Sequence, residues 1–169
     1  MVLAARFSMS PKARHLQTHV HPDPHQQTYL EPTHAAGRAL WQRNIVGPAV
    51  MLNLLRFRRV ADYSHAPELA PPAPISGAEA FERYVAHTLP YLRASGGEVV
   101  FLGDGGPLLI GPEAERWDLV MLVRQSSVES FMRFASDPAY AAGLAHRTAA
   151  VEDSRLLPMV QRPLPTMSG

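Results

Sequence analysis

The sequence contains no cysteine, which excludes disulfides, thiolate metal ligands and a cysteine nucleophile and is compatible with a reducing compartment. Neither sign of charge is in excess: sixteen Lys plus Arg stand against fifteen Asp plus Glu, a net charge of +1. The basic residues are scattered, so no electrostatic footprint for nucleic acid is visible. No apolar run approaches the roughly 18 to 20 residues of a membrane span, and the few apolar residues before Arg6 are shorter than a secretory h-region. A soluble, cytoplasmic protein with neither a membrane nor a nucleic-acid partner is expected. A Gly-x-Ser-x-Gly elbow and a His-Glu-x-x-His helix are both missing, so hydrolase and metalloprotease chemistry has no support. Gly103-Asp104-Gly105-Gly106 joins two extended segments with no helix N-terminus behind it, which excludes a phosphate loop.

With 169 residues the chain suits one core and is too short for two comfortable domains. That core is organised around Ala49 to Phe57, a run bounded by Gly47-Pro48 and Arg58-Arg59 that reads as a strand buried on both faces. Asn53 interrupts it. An amide there must be hydrogen-bonded, because burying it unpaired costs about 1 to 3 kcal/mol.

Residues 1–32 carry His15, His19, His21 and His25 among polar residues without apolar periodicity, and read as a disordered or loosely packed leader. Truncation before Thr33 is therefore expected to leave stability almost unchanged. The His spacing uses metal-ligand types, but without a packed surround it predicts no specific metal site. Residues 33–162 form the single domain, and 163–169 a flexible tail. Thr33 caps a short helix ending near Asn44, and the proline-rich stretch 61–74 is a long surface loop. Ser76-Gly77-Ala78-Glu79 is a capping box opening an amphipathic helix that Gly96-Gly97 stops; Pro90 should kink or restart it. A strand over 98–102 follows, a glycine turn over 103–107, and an apolar strand over 117–124. Ser126 or Ser127 caps the next helix, Asp137-Pro138 recaps another over 139–150, and a last strand covers 154–160. This order is the ferredoxin-like βαββαβ layout, an α+β fold with a four-stranded antiparallel sheet and helices on one face. Strands 49–57 and 119–123 are apolar on both faces, so the uncovered face predicts a homodimer.

The stretches Pro48 to Phe57, Ile75-Ser76-Gly77, Glu115-Arg116-Trp117-Asp118 and His146 to Leu156 together resemble the uncharacterised bacterial family known as domain of unknown function 1330, over about residues 33–160. That family is similar to the dimeric α+β barrel superfamily, whose members include antibiotic-biosynthesis monooxygenases and heme-degrading enzymes. The resemblance implies a barrel dimer. In the heme-degrading relatives an Asn on the first strand, a Trp ending the third strand and a His on the late helix form the site. Asn53 and His146 stand at comparable places, but Gln125 precedes the Ser126 cap and Trp117 lies at the opposite end of its strand. Neither heme nor any other cofactor is expected.

The candidate catalytic residues are Asn53, an oxyanion-stabilising amide, and His146, a base with a pKa near neutrality. The candidate ligand-binding residues are Arg56, Trp117, Arg147 and Asp153. By strict alternation Arg56 faces away from Asn53, and each candidate has a structural role as alternative: strand-end charge for Arg56, packing for Trp117, a helix C-terminal cation for His146-Arg147, an ion-pair network for Asp153. The sequence thus predicts a small-molecule-binding α+β barrel. Its enzymatic version is a cofactor-independent oxygenase or isomerase acting on an apolar carbonyl compound. The alternative is a non-enzymatic dimeric binding or structural module, and the discriminator is whether a cavity lined by Asn53 exists between sheet and helices.

Overall fold

The computed structural model of the chain describes residues 27–163. Its elements are α1 (His34–Gln42), β1 (Ala49–Phe57), α2 (Gly77–Ala94), β2 (Glu98–Pro107), β3 (Arg116–Gln125), α3 (Val128–Ala135), α4 (Pro138–Ala141), α5 (Leu144–Ala150) and β4 (Val151–Met159). The four strands form one antiparallel sheet in the order β2-β3-β1-β4. The two central strands are the two apolar runs, and the helices pack on one face, which is the ferredoxin-like α+β fold.

Local chemistry sets the helix starts. Thr33 Oγ1 accepts from the Ala36 N–H at 3.1 Å. The capping box opening α2 is complete: the Glu79 N–H donates to Ser76 Oγ at 3.2 Å and the Ser76 N–H to Glu79 Oε2 at 2.8 Å, which lowers the Glu79 pKa. α2 passes through Pro90 without restarting. The expected single helix over 139–150 is two, α4 and α5, separated at Gly143, where a Cβ would fall 2.1 Å from His87 Cδ2. β4 starts at Val151, directly after α5.

The glycine turn over 103–107 is replaced by strand. β2 continues to Pro107, with Gly103 opposite Val120, Asp104 opposite Leu119 and Gly106 opposite Trp117. The glycines serve approach rather than turning: a Cβ on Gly105 would lie 2.2 Å from the Trp117 carbonyl oxygen.

The domain also begins before Thr33. The expected leader falls outside the described residues up to 26, but its last part is docked. Tyr29 exchanges hydrogen bonds with Asp153 and Ser154, and Leu30 packs on the core, so the N-terminal boundary of 33 is corrected to about Tyr29. The leader's four histidines lie outside the described residues.

Odd-numbered residues of β1 face the helices. Leu55 packs with Phe81, Tyr84 and Ala150 in one cluster, and Met51 with Leu40, Leu92, Val123 and Phe134 in another. The even-numbered residues face the opposite way. There, Phe101, Leu122, Leu52 and Leu157 are successive cross-strand neighbours, one from each strand. This apolar row crosses the whole sheet, and its two ends, Phe101 and Leu157, are 51% and 53% exposed. No helix among the described residues is long and apolar enough to cross a membrane.

Candidate functional site

Between the helix face of the sheet, α1, α2 and the α3–α5 stretch lies a cavity of about 720 Å³. A packed interior keeps few voids larger than a water molecule, so this space is a feature of the fold. Met51, Val123, Leu89, Leu92, Phe131 and Phe134 make most of its wall. Asn53 also lines it, its Nδ2 donating to the Met51 carbonyl of its own strand at 3.1 Å. The amide is held by local backbone, not by a neighbouring element, so it pins no tertiary contact.

Other polar groups of the lining come from α2, α4, α5, β3 and β4. Tyr84 and Tyr140 join hydroxyls at 3.1 Å, and burial, followed by the Tyr84 hydroxyl, raises the Tyr140 pKa well beyond the ordinary phenol range. Arg147 donates to the Leu30 carbonyl at 2.6 Å and to Ser154 Oγ at 3.2 Å. Thr88 on α2 and Gln125 at the end of β3 are buried, and Thr88 Oγ1 and Gln125 Oε1 meet no hydrogen-bond partner among the described residues.

Residues 73–159 match the family described as domain of unknown function 1330, DUF1330. The chain belongs to this family. The solved RPA0582 protein of Rhodopseudomonas palustris, itself of unknown function, is 37% identical; the likeness covers 81% of this chain and 100% of that one, with a TM-score of 0.68. A methylated form of the RPA0582 protein gives 36% identity over 83% of this chain and 98% of that one, with a TM-score of 0.70. A dabb family protein of Mesorhizobium loti with a ferredoxin-like fold is 13% identical, covering 70% of this chain and 100% of that one, with a TM-score of 0.41; the fold assignment rests on the strand order above. No curated protein matches.

Within this DUF1330 chain, the six residues singled out from sequence do not gather at one place. Asn53 and Arg147 line the cavity. His146, next to Arg147, lies outside that lining. Its Nδ1 is 2.8 Å from the Tyr63 hydroxyl and its ring stands edge-on to the Tyr63 ring. Burial, with smaller contributions from Arg83 and His87, lowers its pKa below the ordinary imidazole value. Asn53 and His146 are therefore apart, because consecutive residues of α5 project about 100° from one another.

Arg56, as alternation requires, faces away from Asn53 and pairs with Glu152 at 3.1 Å and Asp153 at 3.7 Å. Asp153 is buried and acts as a hub, accepting from the Tyr29 and Ser154 N–H groups and from Arg155. Trp117 is buried, its Nε1 donating to Glu115 at 3.0 Å, with the Arg155 guanidinium 5.1 Å from its ring centroid. Sequence reasoning missed Thr88 and Gln125 as parts of the lining. The available signal was polarity at positions where the patterns of α2 and β3 point inward.

Proposed function

We propose that this DUF1330 chain binds a small apolar molecule in the cavity beside Asn53, as a homodimer joined across the open face of the sheet. The observation that supports binding is the roughly 720 Å³ of space with an apolar wall and a few convergent polar groups, the usual make-up of a ligand site. The row from Phe101 to Leu157 supports the dimer, since a second copy can cover it by two-fold symmetry. A cysteine-free sequence fits a cytoplasmic setting.

The enzymatic version, a cofactor-independent oxygenase or isomerase acting on an apolar carbonyl compound, would use Asn53 Nδ2 as donor to the carbonyl oxygen. Binding without chemistry is the better-supported reading. His146, the ring able to take a proton near neutral pH, is not in the lining, and burial holds the Tyr140 phenol protonated.

Fluorescence titration with Nile red, a neutral apolar dye, tests the reading. Saturable, blue-shifted emission is expected, weakened in Leu89→Trp, which puts a larger ring into the wall of the cavity. Asn53→Ala should cost less than about 1 kcal/mol of stability, since only a bond within its own strand is lost. Absence of saturable dye binding by the folded wild type would refute the proposal.

A further inference from the structure

The two polar ends of the cavity differ in kind. At one end stands Arg147, whose guanidinium donates only to neutral oxygens, the Leu30 carbonyl and Ser154 Oγ. Arg147, like several arginines outside the cavity, forms no ion pair among the described residues, whereas Arg155, the other arginine of the lining, is paired with Asp153. Glu31 lines the same cavity but is exposed and makes no bridge to it. A partly buried cation with neutral partners alone has lost hydration that only an anion fully replaces. Asn53 supplies a second donor nearby: Ser154 pairs with Leu55 and Leu156 with Asn53, so the two sites are successive same-face rows.

At the other end Gln125 Oε1 is buried with no partner among the described residues, as is Thr88 Oγ1, one turn before Leu92 on α2. Gln125 is 1% exposed, so bulk water does not satisfy it, and a hydroxyl, which both donates and accepts, suits either orientation of its amide. Between the ends the wall is apolar. Asn53 pairs with Met121 and Ala49 with Gln125, so the ends lie four residues apart along the strand, about 13 Å.

We infer that the ligand is an amphipathic monocarboxylate of medium chain length, its carboxylate received by Arg147 and Asn53 and a hydroxyl at its far end received by Gln125. This rests on the binding reading above and names its ligand class. A carboxylate accepts from Arg147 and from the Asn53 amide without displacing the tether to Leu30, because Nη1 and Nη2 each carry a second N–H beyond the one already donated.

Calorimetric titration with decanoate, decanol and ω-hydroxydecanoate decides it. Decanoate should bind at least about tenfold more tightly than decanol, as expected when an ionic hydrogen bond is gained. Arg147→Gln should remove that ratio, weakening decanoate more than decanol. Gln125→Met should remove the preference for the hydroxy acid over decanoate. Equal affinity of decanoate and decanol for the wild type overturns the inference while Nile red binding upholds the cavity; failure of all three compounds and of the dye defeats the binding reading itself. Should Arg147→Gln fail to fold, having lost the tether to Leu30, the wild-type ratio decides alone.

Discussion

Asp153 holds the backbone of Tyr29: the Tyr29 N–H donates to Asp153 Oδ1 at 2.7 Å, and the Tyr29 carbonyl accepts from the Ser154 N–H at 2.8 Å. The two residues are 124 positions apart, and their bonds cover part of the free edge of β4, which an unprotected strand would otherwise offer to another chain. Removing residues 27–32 in addition to 1–26 should therefore lower the melting temperature by several degrees. Asp153→Ala should cost about 1 to 3 kcal/mol, because it removes the buried acceptor of the Tyr29 and Ser154 N–H groups and of Arg155; thermal and urea unfolding measure the two effects. A truncated chain as stable as its longer counterpart would show that this clasp contributes nothing.

Two glycines should respond oppositely to alanine. At Gly77 the added Cβ would lie 2.4 Å from the Arg58 carbonyl oxygen and 2.5 Å from that of Ala150. Both are backbone atoms that cannot swing aside, so Gly77→Ala should cost at least about 1 to 3 kcal/mol. Gly37, inside α1, has nothing within 4 Å of such a Cβ, and Gly37→Ala should stabilise by about 0.5 to 1 kcal/mol. Thermal melts of the two variants should bracket the wild type.

His146 should make the fold acid-sensitive. Its folded pKa lies below the ordinary 6.5 because burial, then Arg83 and His87, disfavour the imidazolium. The unfolded chain then binds more protons between the two pKa values, so stability rises with pH across that window. The contribution is fully present above about pH 6.5 and is lost as pH falls through the lowered folded value. Nearby Glu79 and Asp62, both lowered carboxylates, titrate at more acid pH. Chemical denaturation at a series of pH values should show a slope just below neutrality that disappears in His146→Gln; an unchanged slope would assign the effect elsewhere.

The open sheet face should decide assembly. Light scattering on a size-exclusion peak is expected to return about twice the 18.6 kDa chain mass at micromolar concentration. Leu52→Glu, in the middle of the row from Phe101 to Leu157, should give a folded monomer. A wild-type monomer at high concentration would remove the barrel dimer.

The parts of the fold legible in the sequence were those set by short-range chemistry. The nine-residue strand Ala49–Phe57, the Ser76–Glu79 capping box and the apolar third strand follow from runs and caps a few residues long. What stayed hidden depends on partners distant in sequence. Gly105 looks like a turn residue until Trp117 is seen against it, and Gly143, between the two late helices, has no room for a Cβ because His87, from another helix, lies against it. The docking of Tyr29 was hidden because its partner lies at the far end of the chain. At the candidate site, alternation correctly sent Arg56 away from Asn53, but periodicity alone could not tell which of His146 and Arg147 reaches the cavity. Thr88 and Gln125 were illegible as a pair, since each is an ordinary polar residue until both are found unpaired in the lining.

The junction of α5 and β4 has a mechanical consequence. Ala150 ends the helix and Val151 begins the strand with no residue between them, and Ala149, Ala150 and Val151 are each 0% exposed. The Arg58 and Asp62 N–H groups donate to the carbonyls of Ala150 and Ala149, so helix and strand act as one rigid lever. The wall carrying Arg147 can move only if the edge of the sheet moves with it. α1 is different. It is joined to β1 by an irregular segment with two left-handed residues, Asn44 and Gly47, and is tied back to the sheet by the Arg43 side chain, which donates to the Pro158 carbonyl of β4 at 2.8 Å. The cavity is thus a box whose back is one covalent piece and whose α1 side is held by a buried Leu40 and a single side-chain strap.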